Sequence, residues 1–139
     1  MIKILFICHG NICRSPMAEF VLKDMVRKAN LEWKFEIASA ATSTEELGNP
    51  VHRGTQAKLR QVGIPCEKRY ARQMSRKDYE YYDLLIGMDR YNMRNMQRIT
   101  GGDPEGKMRM LLPRDVADPW YTGNFEDTYR DILEGCTAL

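Results

Sequence analysis

Short apolar runs alternate along this chain with longer stretches whose apolar residues return at helical spacing. Ile2-Lys-Ile-Leu-Phe-Ile7 is almost continuously apolar, the pattern of a central strand in a parallel sheet covered on both faces. After a polar loop, Met17, Phe20, Val21 and Met25 recur at helical spacing to Lys28, with Pro16 where a first-turn proline is tolerated. Phe35-Glu-Ile37 running into Ser39-Ala-Ala-Thr42 predicts a second strand whose small residues let it pass close to that polar loop. Residues 42–53 form a polar surface stretch with Gly48-Asn49-Pro50 as a turn, and Thr55 to Val62 a helix stopped by Gly63. Ser75 and Asp78 pattern as a capping box opening a short helix with Tyr79, Tyr81 and Tyr82; Leu84 to Met88 is the next buried strand. Asp89 stands at the N-cap of a helix reaching about Ile99, and Met108 to Leu112 reads as a fourth strand. Pro113 to Gly123 is polar and aromatic loop, before Asn124 and Asp127 cap a helix bearing Tyr129, Ile132, Leu133, Cys136 and Leu139. This alternation predicts a three-layer α/β fold with a central parallel sheet of about four strands, binding ligands beyond the strands' carboxyl ends.

Composition narrows the class. A chain of 139 residues, 43% hydrophobic and 29% charged, is expected to form one soluble domain over residues 1–139, and a monomer. A net charge of +2, without a basic run interleaved with aromatics, gives no case for nucleic acid. No apolar run approaches the roughly 20 residues that span a bilayer, so no membrane association and a cytoplasmic location are expected. Cys8, Cys13, Cys66 and Cys136 do not pattern as a disulfide framework, and with His9 and His52 the only histidines no metal or other cofactor is expected. The last helix still places apolar residues at Leu139 without a cap, so the natural chain is expected to continue there.

The chemistry concentrates in Cys8-His9-Gly10-Asn11-Ile12-Cys13-Arg14-Ser15, between the first strand and the first helix. A short loop at a strand's carboxyl end that opens a helix offers converging backbone N–H groups and a helix dipole, together a socket for a phosphate-sized anion. Cys8 puts a thiol at one rim, where the dipole and a guanidinium favour the nucleophilic thiolate. Arg14 puts a planar fork of donors at the other, matched to two oxygens of one tetrahedral anion. Ser15 can donate its hydroxyl to the sulfur, and can also serve as a plain helix cap. For acid–base work Asp118-Pro119 and Asp115 compete on spacing; proline stiffens the mounting of Asp118. Trp120 and Tyr121 follow at once and can wall an aromatic substrate.

Cys, five residues, then Arg-Ser at the start of the chain, with Gly-Asn-Ile-Cys between, resembles the low-molecular-weight protein tyrosine phosphatases. The resemblance continues through Ser39-Ala-Ala-Thr-Ser43, Gly48-Asn-Pro50 and Asp118-Pro-Trp-Tyr121, and so covers nearly the whole chain. It implies a phosphate-binding loop of His9 to Cys13 with Ser15, Cys8 as nucleophile, Arg14 as phosphate clamp and Asp118 as general acid and base. Phosphotyrosine in a protein would be the substrate and inorganic phosphate the product. It implies left-handed conformations at Gly10 and Asn11, and Ser39 helping Asn11 to hold the loop's shape. Cys13 has two readings: packing under the loop, or, as the resemblance implies, a disulfide partner for Cys8 under peroxide. Two departures stand out. Glu45 occupies a wall position where relatives often carry an aromatic, which is expected to weaken ring stacking and favour substrates with basic neighbours. The stretch between Leu112 and Asp118 is several residues short, leaving less chain to carry Asp118 to the loop.

Competing readings fare worse. A thiol-dependent arsenate reductase needs a relay pair of cysteines, and Cys66 and Cys136 are isolated. A protein-arginine phosphatase of the same family is implied by threonine at the Ile12 position, which is absent. A phosphoprotein-binding module needs neither nucleophile nor acid, and a nucleotide loop would end in Gly-Lys-Ser/Thr.

Overall fold

A computed structural model describes residues 1–139. Four parallel strands, β1 (Ile2–Cys8), β2 (Phe35–Ala41), β3 (Leu84–Gly87) and β4 (Met108–Met110), lie in the order β2-β1-β3-β4. Strand β1 is therefore central, and its alternation sends Ile4, Phe6 and Cys8 into one core and Leu5 and Ile7 into the other. On the first face pack α1 (Arg14–Lys28), α2 (Arg53–Gln61) and α6 (Phe125–Thr137); on the second pack α3 (Arg76–Tyr81) and α4 (Arg90–Thr100). The expected three-layer α/β architecture is the one observed. Phe6, Leu5, Ile7, Leu85 and Ile86 are fully buried, each contributing about 1.5–3 kcal/mol of apolar burial.

Local signals set the helix ends. Ser75 and Asp78 form the expected capping box of α3; Asp89 and Asn92 form one at α4, whose left-handed Gly101 closes its far end. Asn124 caps α6, accepting from the N–H groups of Glu126 and Asp127. Helix α6 carries Gly135 where a Cβ would collide with Leu111, so the missing side chain lets the helix close on the turn after β4.

Three boundaries differ from expectation. Helix α1 begins at Arg14, ahead of Pro16, and its N-cap is Cys13; Ser15 lies inside the first turn and is not the cap. Strand β4 stops at Met110, because only Leu85, Ile86 and Gly87 of the short β3 are there to pair with it. The Pro113–Gly123 loop contains a one-turn helix, α5 (Pro119–Thr122), since Asp118 caps it through the Trp120 N–H and Pro119 suits its first position.

Asp103 ties the second face together: its carboxylate accepts from the Tyr79 hydroxyl at 2.7 Å and from the N–H groups of Lys107 and Met108. Burial pushes its pKa up, but these hydrogen bonds outweigh that and hold it below the ordinary 3.8. A depressed carboxylate contributes stability that is present above its unfolded pKa and lost as pH falls through the folded one. Asp103→Asn is therefore expected to lower unfolding free energy at neutral pH by about 1–2 kcal/mol. The gap should narrow below about pH 4. Urea unfolding of both proteins across pH checks it, and a gap that persists in acid contradicts it.

Candidate active site

Between β1 and α1 the backbone reverses its polarity. The carbonyls of Cys8 and His9 are taken by the N–H groups of Thr42 and Ser43, and that of Ile12 by His52 N–H. The carbonyl of Asn11 accepts from Arg69 and that of Cys13 from the Thr55 hydroxyl. All these donors come from outside the loop. The N–H groups of Gly10, Ile12 and Cys13 find no acceptor in the protein, and those of Arg14 and Ser15 are the open first-turn amides of α1. Gly10, Ile12, Cys13 and Arg14 border a cleft of about 510 Å³ at the sheet's carboxyl end, lined also by Cys8, Glu45, Tyr91, Asp118 and Trp120.

Asn11 holds the turn. It is left-handed, with φ of 60°, whereas Gly10 is not; a Cβ at Gly10 would lie 3.1 Å from the Glu46 side chain, a tight approach to which that side chain would have to yield. The Asn11 side-chain oxygen accepts from the Arg69 guanidinium and the Arg72 N–H, which fixes the amide's orientation. Its nitrogen then donates to Ser15 Oγ at 2.8 Å, leaving the Ser15 hydroxyl hydrogen for Cys8 Sγ at 2.9 Å. Cys8 Sγ also accepts from Asn11 N–H at 3.3 Å. The sulfur therefore receives two donors from one clamp.

Ser39 does not join Asn11. Its hydroxyl donates to buried Glu19, whose carboxylate also lies 3.6 Å from Arg69 Nε; the Arg69 guanidinium in turn reaches the Ser39 carbonyl. The Asn11 oxygen already accepts from Arg69 and Arg72, and Ser39 reaches the loop through Glu19 and Arg69.

Arg14 is buried, with its Nη2 2.9 Å from Asp89 and 3.4 Å from Asp118, and its Nη1 donating to the Val116 carbonyl at 3.2 Å. Burial alone would lower its pKa; the charges of Cys8, Asp118 and Asp89 outweigh that and raise it, so the guanidinium stays charged. The Val116 N–H donates to the Met88 carbonyl, and this double anchorage brings Asp118 to the cleft despite the short connection. Asp115 lies elsewhere, accepting the Arg90 N–H at the start of α4.

The walls are mixed. Trp120 packs edge-on against His52, which stacks on Phe125; Tyr121 stands beside it, 85% exposed. Glu45 is joined to His9 at 2.9 Å. Cys13 packs with Ile12 and Ala71, and burial, then the Cys8 and Asp118 charges, push its thiol up to about 12.

Four contributors escaped the sequence reading. Asp89 was visible only as a cap, although its place directly after β3 is where such folds bind ligands. Arg69 lies in an irregular connection, Glu19 within an apolar helix face and Tyr91 on an exposed turn; none carries a local signal.

An amide-lined socket at a parallel sheet's central carboxyl end, with a thiol inside and a buried guanidinium beside it, defines an α/β protein built to hold a tetrahedral anion. The family model described as low molecular weight phosphotyrosine protein phosphatase matches residues 3–139, and the chain belongs to that family. It is 41% identical to low molecular weight protein-tyrosine-phosphatase YfkJ of Bacillus subtilis, over all of this chain and 94% of the relative. The crystal structure of YfkJ superposes with a TM-score of 0.95, over 99% of this chain and 91% of that one. A Gallus gallus low molecular weight phosphotyrosine protein phosphatase is 37% identical over 99% of this chain and 92% of its own. The Streptococcus pyogenes phosphatase SP-PTP matches with a TM-score of 0.92 at 40% identity, over 99% and 90% of the two chains.

The cysteines should separate chemically. With its thiol pushed up to about 12 and buried, Cys13 carries almost no thiolate near pH 7, and the same holds for Cys136. A haloacetamide is expected to modify Cys8 and spare both, and inorganic phosphate should protect Cys8 but not exposed Cys66. Peptide mapping by mass spectrometry checks this; labelling of Cys13 as fast as Cys8 would contradict it.

Proposed function

We propose that the protein hydrolyses phosphotyrosine in proteins through a cysteinyl-phosphate intermediate, releasing inorganic phosphate. The reading rests on one observation: Cys8, Arg14 and Asp118 border the same cleft, with the Cys8 sulfur held by Asn11 and Ser15. In the first step the Cys8 sulfur attacks phosphorus. An S–P bond forms, the P–O bond to the phenol breaks, and Asp118 passes its proton to the departing oxygen. Arg14 and the loop amides carry the equatorial oxygens. In the second step Asp118, now a carboxylate, takes a proton from water as that water attacks phosphorus. The S–P bond breaks, and the Ser15 hydroxyl meets the departing thiolate. Pro119 fixes the mounting of Asp118, while Trp120 and Tyr121 flank the phenyl ring.

Ile12, Trp120 and Tyr121 present apolar surface, which favours a phenyl ring over the guanidinium of phosphoarginine. The protein acts as a cytoplasmic, monomeric single domain in this reading. No helix is long and apolar enough to cross a membrane. Cys13 would trap oxidised Cys8: peroxide takes two electrons from the two thiols, giving one disulfide and water.

Cys8→Ser is expected to abolish turnover of an aryl phosphate while retaining binding of inorganic phosphate, measured by calorimetry. Asp118→Ala should slow aryl phosphate cleavage by about 100-fold or more. Near-normal turnover by either variant contradicts the assignment. A phosphoarginine peptide cleaved faster than its phosphotyrosine counterpart would move the protein to the other branch. Mass spectrometry after mild peroxide should show a Cys8–Cys13 linkage, and overoxidised Cys8 alone would remove that role.

A further inference from the structure

The loops on either side of the Cys8 loop carry opposite charge. Since β1 lies between β2 and β3, the segment after β2 and the helix after β3 flank the socket on opposite sides. The β2 side brings Glu45 and Glu46 to the cleft. The β3 side brings α4, whose Tyr91 lines the cleft and whose exposed face carries Arg90, Arg94 and Arg98.

This arginine row has no acidic partner within the fold. None of its three guanidinium groups meets a carboxylate or donates a hydrogen bond; Arg94 lies over the Tyr91 ring, 5.4 Å from its centre. Like charges at this spacing repel, and Arg90 stands at the helix's positive end, where a cation is disfavoured. Only Arg98, in the last turn, suits the helix dipole. Helix stability therefore does not account for the row. Its unpaired charge beside the cleft suits an anionic partner.

We propose that the exposed face of α4 docks acidic residues flanking the phosphotyrosine of the substrate, with the Tyr91 ring, held under Arg94, as the step between cleft and ridge. This rests on the phosphatase reading above and adds the substrate's sequence character. Arg90 to Arg98 spans about 12 Å along the helix. Extended peptide covers that distance in about four residues, so the row can engage about four consecutive residues on one side of the phosphotyrosine. On the other side, Glu45 and Glu46 disfavour acidic residues, so the preference is one-sided.

The test compares phosphotyrosine peptides carrying three acidic residues before the phosphotyrosine, three after it, or neutral flanks, with p-nitrophenyl phosphate as a substrate that ends at the cleft. One acidic peptide, not both, is expected to exceed the neutral one in kcat/KM by about five- to tenfold, mostly through KM. The advantage should shrink at about 0.5 M salt. The double variant Arg94→Gln, Arg98→Gln should erase it while changing p-nitrophenyl phosphate turnover less than about twofold. Equal kcat/KM for all three peptides, or an advantage that survives the double variant, overturns the ridge while the phosphatase stands. Failure of the wild type to hydrolyse p-nitrophenyl phosphate overturns both.

Discussion

Everything in this site depends on the side chain of Asn11. Successive backbone amides point the same way only if the intervening carbonyls find donors elsewhere and one residue turns left-handed, at a cost of about 1–2 kcal/mol. Asn11 takes that conformation and offsets its cost with three side-chain hydrogen bonds, to Arg69, Arg72 and Ser15, the last of which carries on to Cys8. Arg69 is in turn oriented by Glu19, which Ser39 and Lys23 hold. The polarity of the Cys8 socket is thus written at residues that never touch the cleft.

Charge sets the second constraint. A buried Arg14 facing Asp89 and Asp118 is weak evidence of stability, because removing ions from water costs several kcal/mol before the pairing offsets it. Its geometry has another consequence. One guanidinium holds the first helix, the end of β3 and the 111–118 connection in a single arrangement, through Asp89 and the Val116 carbonyl. The cation beside the sulfur and the Asp118 carboxylate are therefore positioned by the same side chain.

The layers and strands were legible because they depend on local pattern: continuous apolar runs for β1 and β3, a capping box for α3, an aspartate cap for α4 and an asparagine cap for α6. The loop motif was legible because its chemistry is contiguous from Cys8 to Ser15. What depended on partners distant in sequence was not. Ser39 was expected to help Asn11 hold the loop, yet its hydroxyl donates to Glu19, and Arg69 and Arg72 supply the Asn11 oxygen. Gly10 looked like a residue needed for its dihedral freedom, yet its φ is not left-handed and its bareness leaves room for the Glu46 side chain. The one-turn helix α5 escaped because four residues cannot establish a periodicity.

The division between clamp and wall bears on how such a site can change its substrates. The carbonyl partners of the loop are backbone N–H groups, Arg69 and Thr55, and the amide orientation rests on Arg69 and Arg72. Tyr91 and Trp120 contribute no side-chain hydrogen bond to that arrangement, and Glu45 meets the loop only at the exposed His9 ring. Substitution at those wall positions therefore alters the shape and charge around the socket without releasing a donor or stranding a buried polar group. A central strand bordered on both sides by parallel neighbours makes this possible: the loop amides, Cys8 and Arg14 belong to β1 and α1, and the cleft walls to the segments that follow β2, β3 and β4.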